Sequence, residues 1–181
     1  MNRRRAFQTG GLERVVIFDR GNVEFGLPRG WTAEPQAEGY MKCKDPADSV
    51  LLEVSYLRLP PLEPGELPVA ERLRYALAGH PHAAGHGPIT TFRRGDMEFA
   101  WASYAYECDD TEQGERRPAL GRWLIAANSL FQALLTYYYW TDDTAWAAPV
   151  WETIVETIHL GDGIPLETPK DHWSLRDEDR G

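Results

Sequence analysis

Over residues 96–108 and 122–140, joined by a polar connection, the chain sets apolar or aromatic side chains at most positions rather than at alternate ones. Successive side chains of a strand point to opposite faces, so a strand with one wet face alternates and a strand covered on both does not. Across residues 96–108, one face takes Met97, Phe99, Trp101, Ser103 and Ala105. The other takes Glu98, Ala100, Ala102, Tyr104 and Tyr106. Residues 122–127 and 130–140 repeat the pattern, and Asn128-Ser129 between them is turn chemistry, which predicts a hairpin. A helix over 122–140 is opposed by the run Tyr137-Tyr138-Tyr139-Trp140, whose residues favour strands. This hairpin and the strand before it form the expected middle of an antiparallel sheet covered on both faces.

The rest of the chain supplies shorter elements. Arg14–Phe18 reads as a strand, Asp19-Arg20-Gly21-Asn22 as a turn, and Val23-Glu24-Phe25 as the next strand. Pro28 and Gly30 break the chain there, and Trp31 folds back onto the core. Strands are expected over 38–44 and 50–59, then an extended connector from Pro60 to Pro68 with four prolines and a glycine. Pro68 suits the first turn of a helix, and Val69, Leu73, Ala76 and Leu77 share one face of Val69–Ala78. Gly79 is placed to end it in the left-handed conformation. Residues 80–88 read as an irregular loop, 89–93 as a strand, and 109–118 as a charged hairpin loop. Thr141-Asp142-Asp143-Thr144 offers N-caps for a last helix running to Ile158, with Trp146, Val150, Trp151, Ile154 and Ile158 on its apolar stripe. Pro149 lacks an N–H and suits a start of the regular helix, after one loose turn. The pattern divides the chain into a disordered leader (1–13), a single α+β domain (14–161) and an acidic tail (162–181).

A chain of 181 residues buries roughly 70% of its unfolded surface, so it needs neither metal nor disulfide to fold. Cys43 and Cys108 belong to no CxxC pair and read as buried thiols; their spacing neither requires nor forbids a disulfide. The formal net charge of −9 opposes both non-specific nucleic-acid binding and adsorption to an anionic membrane. The basic start Arg3-Arg4-Arg5 lacks the apolar run of a signal peptide, and no stretch of membrane-spanning length follows. The expected location is the cytoplasm.

Candidate chemistry is sparse. His80, His82 and His86 fall within seven residues on a loop, and imidazoles ligate transition metals. Their spacing matches no usual signature, so a plain polar loop is the competing reading. Glu107, Asp109, Asp110, Glu112 and Glu115 sit with Arg116 and Arg117 in one loop, unlike two carboxyls facing each other across a cleft. No serine stands in a Gly-x-Ser-x-Gly setting, and the acidic neighbours of Cys108 disfavour its thiolate. No cofactor is implied. Seven tryptophans and eight tyrosines stand out. Most belong to the core, but a partly covered aromatic sheet face makes a groove for a protein partner, with Trp101, Tyr104, Trp123, Tyr138 and Trp140 as candidate contacts. Trp173, in the tail, suits a short docking motif.

The order of elements, together with Pro28-Arg29-Gly30-Trp31 at the end of an early strand, resembles the PsbP/Mog1-like superfamily over roughly residues 14–161. The resemblance implies an α/β/α sandwich, an antiparallel sheet with helices on its faces. It also implies a non-enzymatic accessory or binding role, with no shared catalytic residues. The leading expectation is therefore a protein-binding module of chaperone or immunity type. Two alternatives stand beside it: a metal-binding protein using His80, His82 and His86, and a small-molecule binder with a pocket between Trp101, Tyr104 and the last helix.

Overall fold

The computed structural model describes residues 14–37, 39–59, 67–110 and 115–161. The leader, residues 60–66 of the connector, the tip of the charged loop, and the tail with Trp173 lie outside the described residues. Along the chain come β1 (Arg14–Phe18), β2 (Val23–Leu27), β3 (Thr32–Ala37), β4 (Tyr40–Lys44), β5 (Val50–Arg58), α1 (Val69–Ala78), β6 (Thr90–Arg94), β7 (Met97–Asp110), β8 (Glu115–Ala127), β9 (Phe131–Trp140), α2 (Thr144–Thr157) and β10 (His159–Leu160). Seven strands pair in the order β3-β4-β5-β9-β8-β7-β6, and a second sheet has the order β1-β2-β10. All pairings are antiparallel.

The large sheet is covered on both faces, as the unbroken apolar runs require. On one face Met97, Phe99, Leu124, Ala126, Phe131, Ala133, Leu135 and Tyr137 meet Trp151, Ile154 and Ile158 of the α2 segment and Val16, Phe18, Val23, Phe25 and Leu27 of the small sheet. On the other, Ala100, Ala102, Tyr104, Trp123, Ile125 and Ala127 meet Val69, Leu73 and Leu77 of α1. The architecture is thus an antiparallel sheet with a helix packed on each face. Trp31 is buried and stacked on Tyr137, ring centroids 6.5 Å apart.

Polar side chains fix the corners. Asp45 is buried and accepts from the N–H groups of Ala47, Ser49 and Val50, the last two at 2.7 Å. Asn128 closes the β8–β9 turn by accepting from the N–H groups of Leu130 and Phe131, and donates to the Leu160 carbonyl. Arg94 donates to the carbonyls of Val155, Glu156 and Ile158, which the end of α2 leaves without helical partners.

Several expectations change. β3 and β10 were not anticipated. The loop expected over 109–118 is mostly strand: β7 runs to Asp110 and β8 begins at Glu115. Cross-strand charge pairs favour the extension, with Arg116 3.5 Å from Glu107 and 3.6 Å from Asp109. Gly79 is right-handed (φ −80°), because the chain continues through a further turn in which the His80 N–H donates to the Leu77 carbonyl. α2 begins at Thr144 with Pro149 inside it. Asp143 does not cap it; its carboxylate accepts from the Trp146 ring N–H at 3.2 Å. Cys43 is buried, whereas Cys108 is half-exposed, and both are free thiols.

Candidate functional site

α1 and the turn after it cover only one end of their sheet face. Leu73, Leu77 and Ala83 are fully buried over Ala100, Ala102 and Ile125. The histidine loop then extends the cover: the His80 ring meets Trp123 edge-on at 5.0 Å, and His82 stacks on Tyr106 at 5.2 Å. Beyond His82, among the described residues, Leu51, Tyr106, Cys108, Tyr138 and Trp140 stand half-buried around a cleft of about 230 Å³. Lys44, Asp48 and Ser49 also line it.

The register explains why these rings gather. Ala119 lies opposite both Trp140 and Tyr106, and Gly121 opposite both Tyr138 and Tyr104. Two small residues on β8 thus separate large rings on either side. Gly121 is so closely covered that a Cβ there would fall 2.5 Å from Cζ of Tyr104. Aromatic rings laid across a strand glycine restore the packing that glycine forfeits.

Polar contacts tie the shelf together. Trp123 donates its ring N–H to the Tyr138 hydroxyl at 3.0 Å, and the Arg117 guanidinium lies 4.6 Å from the Trp140 ring centre. Burial, then Cys108 and Tyr138, push the Tyr106 phenol up to about 12. Tyr104 also moves up, chiefly through burial and then Tyr138. These phenols stay neutral and act as hydrogen-bonding rings.

His80 moves the other way. Burial against Trp123 and Tyr104, and then the neighbouring His82, hold its imidazole below the ordinary 6.5. At pH 7 both folded and unfolded chains carry it mostly neutral. As pH falls through the ordinary value, the unfolded chain takes up a proton that folded His80 resists, so stability declines. His80→Gln is expected to flatten the fall in urea midpoint between about pH 7 and pH 5. An unchanged slope would show that His80 does not contribute to it.

The sequence-derived candidates separate. Tyr104, Trp123, Tyr138 and Trp140 share the α1 face and its shelf. Trp101 does not: it packs on the α2 face, 6.5 Å from Trp151. Three residues apart on one strand, Trp101 and Tyr104 point to opposite sides, so the pocket expected between them and the last helix does not form. His80 and His82 turn onto aromatic rings, and His86 Nδ1 lies 2.7 Å from the Gly87 carbonyl. Among the described residues no group of three or more His, Cys, Asp or Glu is arranged to hold a metal ion. Tyr106 and Leu51 were missed as shelf residues. The signal for Tyr106 was available, since it lies two residues from Tyr104 on the same strand face.

No helix among the described residues is long and apolar enough to cross a membrane. The described residues are similar in fold to the solution structure of cyanobacterial PsbP from Synechocystis sp. PCC 6803, with a TM-score of 0.58 at 14% identity, covering 82% of this chain and 92% of that one. They are also similar to the crystal structure of LpqN, involved in cell envelope biogenesis of Mycobacterium tuberculosis, with a TM-score of 0.52 at 16% identity over 76% and 82% of the two chains. A Bacteroides thetaiotaomicron structure gives a TM-score of 0.53 at 11% identity over 82% of this chain; the match spans about half (48%) of that longer chain. The fold is PsbP/Mog1-like. In sequence, the chain is 30% identical over 151 residues to the uncharacterized protein alr1449 of Nostoc sp. (strain PCC 7120), covering 82% of this chain and 77% of that protein. With the Alr1449 family model matching residues 14–164, the chain belongs to the Alr1449 family.

Proposed function

We propose that this chain is a non-enzymatic protein-binding module, a chaperone-like or immunity-type accessory protein of the cytoplasm, which holds its partner at the aromatic shelf. The shelf itself carries the reading. Tyr106, Tyr138 and Trp140 stand half-buried around a cleft, with Leu51 on its apolar floor and Lys44 and Arg117 nearby. Tyrosine, tryptophan and arginine are the residues that dominate protein interfaces, because large rings gain contact area with few torsions to freeze. The free thiols of Cys43 and Cys108 suit a reducing compartment.

The test is capture by tagged protein from native lysate, read by mass spectrometry, comparing the parent with Tyr106→Ala and Trp140→Ala. The parent is expected to retain one stoichiometric partner. Each variant is expected to retain about ten-fold less or lower still, at a melting temperature within roughly 3 °C of the parent. Equal capture by parent and variants would remove the shelf from the reading. Turnover of a hydrolase substrate panel, lost on a point substitution, would overturn the non-enzymatic assignment.

A further inference from the structure

A strand at the rim of a sheet leaves a row of backbone donors and acceptors unpaired, and proteins commonly blunt such rims. Four strands stand at rims here: β1 and β10 in the small sheet, β3 and β6 in the large one. β10 is only two residues long. β3 carries Pro35, which has no N–H, a register break between Pro35 and Ala37, and exposed Glu34 and Gln36. β6 ends in exposed Arg93 and Arg94. β1 has no proline and no register break, and its one charged residue, Arg14, sits at its start and donates to the Trp31 carbonyl at 3.0 Å. Its register on β2 is unbroken from Arg14 to Phe18, and its outward side chains, Val15 and Ile17, are 62% and 64% exposed.

The backbone of β1 points the same way. The Gly26 N–H donates to Thr157 Oγ1 at 2.9 Å, on the side of β2 away from β1. Val15 is the register partner of Gly26, so an antiparallel ladder turns the N–H and C=O of Val15 away from β2. Ile17, two residues on, does the same. Among the described residues these groups have no backbone partner. Beside them runs a groove of about 410 Å³, walled by β1 on one side and by Ala33, Pro35, Ala37 and Met41 on the other.

We propose that β1 pairs antiparallel with β1 of a second copy of this chain, across a two-fold axis at Val16. The strand is its own complement in that register. Val15 meets the partner's Ile17 and Ile17 meets the partner's Val15, which joins four branched side chains on the face now exposed. A one-residue slip would set exposed positions against buried ones, so the pattern selects this pairing. The two small sheets become one continuous sheet of six strands.

Sedimentation velocity of the full chain over about 1–100 μM tests this. The parent is expected to reach twice its 20.6 kDa chain mass as concentration rises. Ile17→Lys alters only an exposed side chain, and is expected to weaken dimerisation at least ten-fold with an unchanged far-ultraviolet spectrum. Val15→Pro removes an N–H that points away from β2, and is expected to do the same while leaving the β1–β2 ladder intact. Trp140→Ala, at the shelf, is expected to dimerise like the parent, which separates this inference from the proposed function. A parent that stays monomeric throughout overturns the proposal. So does a dimer that both β1 variants leave intact, or a monomeric parent whose capture of some other protein is lost in Ile17→Lys.

Discussion

Replacing Trp151 by Ala is expected to lower the unfolding free energy by about 3–5 kcal/mol. Trp151 is among the largest fully buried side chains, and it holds α2 on the sheet. Its ring lies 5.5 Å from Tyr137 and 6.5 Å from Trp101, and Tyr137 in turn stacks on Trp31. Truncation therefore removes one member of a column of rings that joins the helix, two central strands and the Pro28–Trp31 turn. Tyr137 and Trp31 are themselves bulky and buried, so they cannot collapse into the space, and the cost belongs at the upper end of the range. Urea denaturation should show a lower midpoint at an unchanged slope, and the melting temperature should fall by roughly 6–20 °C. Trp151→Phe keeps a ring and should lose less than half as much. A loss below about 1 kcal/mol for the alanine variant would show that the ring is not what holds α2 in place.

The two-sided cover of the central strands was legible because it is a local property: residues 97–105 and 131–139 carry apolar side chains at both parities, whatever they pair with. Trp31 was legible because Pro28 and Gly30 force a turn that brings an aromatic back to the core. β3 was not, because Thr-Ala-Glu-Pro-Gln-Ala has no strand pattern of its own and gains its conformation by pairing with β4. β10 is two residues ordered by Glu24 and Val23 across the small sheet, and no local signal exists at that length. Gly79 shows the limit of capping rules: the residue type permits a left-handed end, but the following turn does not need one. At the shelf, the aromatic identity of Tyr104, Trp123, Tyr138 and Trp140 was plain, yet the meeting of Tyr104, Tyr138 and Trp140 depends on Gly121 and Ala119 lying opposite them. Strand parity alone separates Trp101 from Tyr104 and sets Tyr106 beside Tyr104; the cross-strand register that gathers the rings depends on partners distant in sequence, which the pattern does not carry.

Gly121→Val is expected to destabilise the protein by about 1–3 kcal/mol, although strand propensity alone argues for a gain. Valine is favoured and glycine disfavoured in strand interiors, and Gly121 sits mid-strand in β8 without a left-handed backbone to defend. The steric contact decides the sign. A Cβ would lie 2.5 Å from Cζ, 2.8 Å from Oη and 2.9 Å from Cε1 of Tyr104, so that ring must move before any side chain fits. It cannot move freely, because Tyr104 is buried between His80, Tyr106 and Trp123. Displacing it strains the α1 core and lifts the histidine loop from the shelf. The paired variant Gly121→Val/Tyr104→Ala removes the obstacle, and is expected to recover part of the loss relative to the sum of the single changes, a coupling of about 0.5–3 kcal/mol in a double-mutant cycle. Additive effects would mean that the ring does not lie over the glycine. A gain from Gly121→Val alone would mean that strand propensity, not the packing of Tyr104, governs this position.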